Sequence, residues 1–305
     1  MIEIRGMHLK ELSSVHRMLG RAFANTPKAF FDQQVKNDPV LLPEDTRVLV
    51  ENGKIRSCVR VYFRKIYCQG KTIKIGGIGD VGTDPSCQHR GHASRLMEDA
   101  IRYMRDNSAL LSILFTRINS FYHSFGYMDL PTLQVEVELP HHQSKINFRT
   151  ADLGKDLKRL QNLYAEFNQN RIGPIARNAH YWKQQMNFPR IDPGLFWMIE
   201  EDNTVRCYIR GKIEADYIKI QEWAYRPGEE ERVLELIGAM ASVNNKKKVY
   251  SRYLSEQEAT LFKQWPCDIT EDKTSMVRLI QLDKRSSFRN ILRPHHFLFW
   301  ESDCF

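Results

Sequence analysis

Apolar and polar positions fall into two matched blocks along the chain. Ile2 and Ile4 alternate with Glu3 and Arg5, and Leu9, Leu12, Val15 and Met18 follow at helical spacing. Further on, Ile146 and Phe148 alternate with Asn147 and Arg149, and Leu153, Leu157, Leu160 and Leu163 follow. The blocks lie 144 residues apart, then 145 after one inserted position. Ile73-Lys74-Ile75 and Ile218-Lys219-Ile220 return to the offset of 145. One short match would mean little; a return to the same spacing much later predicts an internal duplication. Pro140 to Lys145 is the polar junction, so modules are expected over 1–143 and 144–305.

Within the first block the pattern predicts a strand, a helix, and a helix or loop near Pro27 to Lys36. Strands are expected at about 46–51, 55–65 and 72–84. Val59, Val61 and Phe63 alternate with Arg60, Tyr62 and Arg64, as in a half-buried strand. Ala93, Leu96, Met97, Ala100, Ile101 and Met104 share one face of a long helix over 91–106. A buried strand at 110–116, a short helix at 118–125 ending at Gly126, and a strand near 133–139 closing the module complete the expectation. Strands interrupted by helices in this order predict a mixed α/β sheet.

The chain has 305 residues, 42% of them hydrophobic and 27% charged, which is ample for a core and excludes wholesale disorder. Six cysteines are scattered without a C-x-x-C, as expected of free thiols in a reducing compartment such as the cytoplasm. No apolar run reaches the length of a membrane span, and the start has no apolar signal region. The net charge of +8 leaves two readings open: a solvated basic surface or a polyanionic partner. Its clusters are Lys246 to Lys248 and Lys284 to Arg293. Without an interleaved basic-aromatic motif, no specific nucleic-acid partner is expected, and no membrane.

The richest segment runs from Gly76 to Ala93, out of a strand, through a turn at Pro85 and into the long helix. A helix amino terminus offers unpaired N–H groups and a positive dipole end, both suited to phosphate. Gly91 and Ala93 permit close approach, Arg90 adds a cation and Gln88 a donor. The pattern is neither a P-loop nor a dinucleotide fingerprint. Gln88-His89-Arg90-Gly91-His92-Ala93 resembles the Q/R-x-x-G-x-G/A signature of GNAT-superfamily N-acetyltransferases, with Ala93 in place of the last glycine. Phe121-Tyr122-His123-Ser124-Phe125-Gly126-Tyr127 resembles the aromatic segment that follows the fifth strand in that family. The second half has Arg226-Pro227-Gly228 and three glutamates where the loop would recur, so its copy is expected to be degenerate. With Arg177-Asn178-Ala179-His180-Tyr181-Trp182, the layout resembles the tandem enhanced-intracellular-survival acetyltransferases, without their sterol-carrier-like domain.

The resemblance implies acetyl transfer from acetyl-coenzyme A to a small-molecule or peptide amine by direct attack. The alternative is a non-catalytic acyl-coenzyme A sensor. It implies cofactor contacts at Val81, Gly82, Thr83, Gln88, His89, Arg90, Gly91, His92 and Ala93, and a general acid at Tyr122. Base candidates are Asp80, Glu222 and the carboxylate of Phe305, whose aromatic approach from Phe297 should pack inward. His89, His92 and His123 lack the spacing of a helical zinc site and are expected at the surface, and no metal is expected.

Overall fold

A computed structural model describes residues 1–24, 26–139, 146–281 and 292–305. The expected junction at 140–145 and most of the basic cluster, from Lys284 to 291, lie outside the described residues. The elements run β1 (Ile2–Gly6), α1 (Leu12–Ala22), α2 (Lys28–Asn37), β2 (Thr46–Glu51), β3 (Lys54–Cys68), β4 (Lys71–Thr83), α3 (His92–Asp106), β5 (Leu111–Phe115), α4 (Asn119–His123), β6 (Met128–Asp129) and β7 (Thr132–Glu138). There follow β8 (Arg149–Thr150), α5 (Leu157–Asn168), β9 (Ile172–Ile175), α6 (Ala179–Gln185), β10 (Phe196–Glu201), β11 (Thr204–Ile213), β12 (Tyr217–Tyr225), α7 (Glu230–Val243), β13 (Lys248–Leu254), α8 (Glu256–Thr260), β14 (Cys267–Asp272) and β15 (Ser275–Leu279).

Two mixed sheets result, as the strand and helix alternation predicts. The first has the order β1-β2-β3-β4-β5-β15-β6, with β9 attached to β3; the second has the order β14-β7-β13-β12-β11-β10-β8. Each contains the same unit: a long antiparallel pair (β3–β4, β11–β12), then a helix (α3, α7) leading to a parallel neighbour (β5, β13). The internal duplication is therefore visible in the topology. The copies differ between strand and helix: eight residues (84–91) separate β4 from α3, but only four (226–229) separate β12 from α7. The second copy has no room for the loop of the first.

Two expectations are corrected. The strand at 133–139 does not close the first sheet; β7 pairs with β13 and β14 in the second. Its place is taken by β15, which lies between β5 and β6. Nor is β3 half-buried. Val59 and Val61 pack with Leu96, Met97, Ala100 and Met104 of α3, while Arg60, Tyr62 and Arg64 on its other face are also 0–5% exposed. That second face is covered by α1, α2 and the segment ending at Phe305, so alternation of polar and apolar residues marks two interiors of different chemistry. Full burial of each aliphatic side chain contributes about 1.5–3 kcal/mol. The four residues Phe297 to Trp300 are at most 1% exposed, as expected, and all six cysteines are free.

Candidate functional site

A bulge in β4 organises the site. Gly79 lies opposite Arg60 and Gly82 opposite Cys58, so Asp80 and Val81 crowd against Val59 alone. Asp80 takes a φ of +49°, costly for a non-glycine residue. Its Oδ2 accepts hydrogen bonds from Arg60 and, at 3.0 Å, from the Tyr62 hydroxyl. Pairing of β4 with β5 ends at Ile78↔Leu114, and the β4 residues from Gly79 to Thr83 have no register partner there. That divergence leaves Val81, Gly82 and Thr83 without a strand partner on the β5 side.

The turn after β4 is tightly held. The Asp84 carboxylate accepts from the backbone N–H and the hydroxyl of Ser86 and from Arg21 at 2.6 Å. Arg21, and then the Ser86 bonds, hold that carboxyl down at about 2. Beyond it, Gln88, His89, Arg90 and Gly91 are exposed, and His89 and Gly91 have φ of +62° and +74°. Gly91 caps α3 from the left-handed region, and a Cβ there would meet nothing within 4 Å. The position thus needs glycine for its backbone conformation, and the space above it is open. His92 departs from expectation: it is 3% exposed, turned under the loop rather than outward. His123 is at the surface, 3.2 Å from Asp129.

Tyr122 sits on α4 among Phe121, Tyr127 and the α3 side of the first core. Its hydroxyl makes no hydrogen bond among the described residues, and burial pushes the phenol up to about 12. Protonating a thiolate of ordinary pKa near 8.5 from such a phenol costs roughly 5 kcal/mol, less where the thiolate shares the same dry pocket.

Phe305 meets β4 from the opposite face. Its ring stacks on Tyr62 at 5.4 Å, and a Cβ on Gly77 would lie 2.1 Å from that ring. The Phe305 carbonyl carbon is 3.6 Å from where a Gly79 Cβ would be, one residue from Asp80. Gln34, Asp38, Tyr62, Arg64 and Arg190 line a narrow recess with Phe305. The approach is anchored by a buried ion cluster. Arg177 makes paired hydrogen bonds to Glu222 (2.9 and 2.6 Å) and to Asp303 (2.6 and 3.0 Å). Burial opposes charge on Glu222, but Arg177 and Arg210 outweigh it and hold the carboxyl at about 2. With Tyr208 and Ser302 also donating to it, Glu222 is a latch for the chain end and is shut away from any cleft.

Asp80 and Phe305 therefore converge at the bulge, and Gln88 to Ala93 form the loop and first turn that follow it. Pattern reading gave no role to Arg60, Tyr62 and His16, and met Arg177 only within the Arg177 to Trp182 segment. Arg60 in a strand of apolar residues was the available signal, since a buried cation needs a partner.

Residues 3–128 match the model of a family described as an acetyltransferase (GNAT) domain. No curated protein matches the chain. Among solved structures, a probable N-acyltransferase from Enterococcus faecalis is 15% identical with a TM-score of 0.75, over 92% of this chain and 73% of that one. Eis1 from Mycobacterium abscessus is 14% identical with a TM-score of 0.68, over 95% and 76%. A putative acetyltransferase from Pyrococcus horikoshii is 11% identical with a TM-score of 0.60, over 99% and 95%. At these identities the likeness is one of fold, and it spans both halves of the chain.

Proposed function

From the premise that residues 3–128 are an acyltransferase domain of GNAT type, we propose that the protein transfers acetyl from acetyl-coenzyme A to an amine acceptor. The observation that carries this reading is the open space over left-handed Gly91 at the amino terminus of the 15-residue helix α3. The first-turn backbone N–H groups, which have no partner within the helix, and the helix dipole there suit a pyrophosphate, and Arg90 adds charge. Val81 to Thr83 would polarise the thioester carbonyl with a backbone N–H, where β4 and β5 part.

An amine must arrive neutral, which for an ordinary lysine-like group at pH 7 costs roughly 4.6 kcal/mol. The carboxylate of Phe305 is the favoured acceptor for its proton, because Asp80 already receives Arg60 and Tyr62 on one oxygen. Tyr122 would return a proton to the departing sulfur. The amine then lies between the first sheet and the segment from Phe297 to Phe305, and residues 144–305 act as its support rather than as a second catalyst. A sensor without turnover is the rival reading; Tyr122, with a hydroxyl free to donate, favours the enzyme.

Calorimetry with coenzyme A tests the first step. One site per chain is expected, and Gly91→Asp, which places a negative side chain in strained backbone beside phosphate, should abolish it. A second site of similar affinity would refute the single-loop reading. Release of free coenzyme A from acetyl-coenzyme A across a panel of amines then separates enzyme from sensor.

A further inference from the structure

His92 is buried without a use for its polar atoms. Both ring nitrogens lack a hydrogen-bond partner among the described residues, although the residue is only 3% exposed. A neutral imidazole carries one donor and one acceptor, and natural interiors seldom leave both unmet. Beside it lie Cys87, also 3% exposed, and Glu51, whose side chain is 21% exposed. One ligand atom from each, the Cys87 Sγ, a His92 ring nitrogen and a Glu51 carboxylate oxygen, lie within 4.8 Å of one another. They come from three separate elements: the end of β2, the turn after β4 and the first residue of α3.

We propose that Glu51, Cys87 and His92 bind one divalent metal ion of the zinc class, and that this ion staples the Gln88–Gly91 loop from beneath. A thiolate, an imidazole and a carboxylate suit zinc or cobalt rather than magnesium or calcium, which prefer oxygen alone. Bonds of about 2.0–2.3 Å in a tetrahedral site set ligand atoms roughly 3.5 Å apart, so small side-chain rotations close the present spacing. The Cys87 thiol loses its proton to solvent as the metal binds, and thiolate and carboxylate together balance the ion's two charges. A fourth position is left for water.

The site has a consequence for the loop above it, and this part rests on the coenzyme A reading. Arg56 and Arg90 each stand 3.9 Å from Glu51. Without metal, Glu51 draws Arg90 back from the ligand side of the loop. With metal, its charge is taken up, and Arg90 is released to a pyrophosphate. Cys87 and His92 bracket the four loop residues, so the ion also fixes the left-handed backbone at His89 and Gly91 before any cofactor arrives.

The test is titration of the untagged, reduced full chain with Co2+ alone, reading the thiolate-to-cobalt charge-transfer absorption. One equivalent should produce the band, and Zn2+ should displace it. Cys87→Ser should abolish it, Glu51→Gln should weaken Co2+ binding by about tenfold or more, and Cys267→Ser should leave it intact. Glu51 is partly exposed, so its variant keeps the test meaningful should Cys87→Ser, at a buried position, fail to fold. No band in the wild type, or a band that survives Cys87→Ser, overturns the site. Coenzyme A calorimetry should then show tighter binding with Zn2+ in the wild type but not in Glu51→Gln; equal binding in both overturns the staple. A cobalt band from a chain that binds no coenzyme A upholds the metal site and sinks the cofactor reading instead.

Discussion

At the β4 bulge, Asp80 is held by a relay of side chains that begins at the surface. Lys28 pairs with Asp32, Asp32 lies 2.7 Å from His16 Nδ1, and His16 Nε2 lies 3.1 Å from Arg60, which pairs with Asp80. Carboxylate accepts and guanidinium donates, so the His16 proton belongs on Nδ1 and Nε2 is the acceptor. Burial, and then Arg60, lower the His16 pKa below its ordinary 6.5, with Asp32 opposing. The depressed value means that His16 contributes its stability fully above pH 6.5 and loses it as the pH falls through the folded value. Protonation would set two donors face to face and loosen Arg60. Acid loss of turnover below pH 6.5 is therefore expected, and His16→Ala should flatten that limb. The same variant should cost about 1–3 kcal/mol in urea unfolding, because it leaves Arg60 short of a buried partner. Tyr122→Phe should reduce turnover by about 10²–10⁴-fold with coenzyme A affinity unchanged. Equal turnover with chemistry rate-limiting would remove Tyr122 from the mechanism.

β4 is the element on which sequence reading was both most and least informative. The passage from strand to turn to helix, the extent of α3 and the loop over Gln88 to Gly91 follow from local periodicity, turn residues and a left-handed glycine, all short-range effects. The glycines just before them hold a different message. Gly76 is bare because Met104 would meet its Cβ at 2.3 Å, and Gly77 because Phe305 fills that place. Neither partner is near in sequence, so no local pattern could assign them. The glycine-rich strand is a seat for the segment ending at Phe305 as much as an approach to the loop over Gln88 to Gly91. Gly77→Ala should evict the Phe305 ring and lower amine-dependent turnover while sparing coenzyme A binding. Deleting Asp303 to Phe305, or appending a short glycine-serine segment after Phe305, should do the same. If both altered chain ends stay folded and fully active with the true acceptor, the segment serves packing alone and the proton acceptor must be sought at Asp80 or bound water.

Across the whole molecule, duplication was legible because the two copies keep the same apolar rhythm, and the missing second loop because glutamates stand in its place. Their exchange of strands was not. β7 and β15 carry ordinary strand patterns, and which sheet each joins depends on contacts more than a hundred residues away. Because β15 lies between β5 and β6, and β7 between β13 and β14, neither sheet is whole without the other half. Urea unfolding should accordingly give one transition by both aromatic fluorescence and circular dichroism. Residues 1–131 expressed alone should expose the edge of β5 and aggregate. Two separable transitions, or a soluble folded fragment, would show that the exchange does not couple the halves. The exchange also sets a timetable for biogenesis. β5 ends at Phe115 and must wait for Ser275, an interval of 160 residues. At about 5–20 residues per second, the ribosome needs on the order of ten to thirty seconds to supply the missing neighbour. Through that interval the nascent first sheet has an open edge, and a chaperone that shields it, or a codon change that prolongs the wait, should govern how much of the chain reaches its folded state.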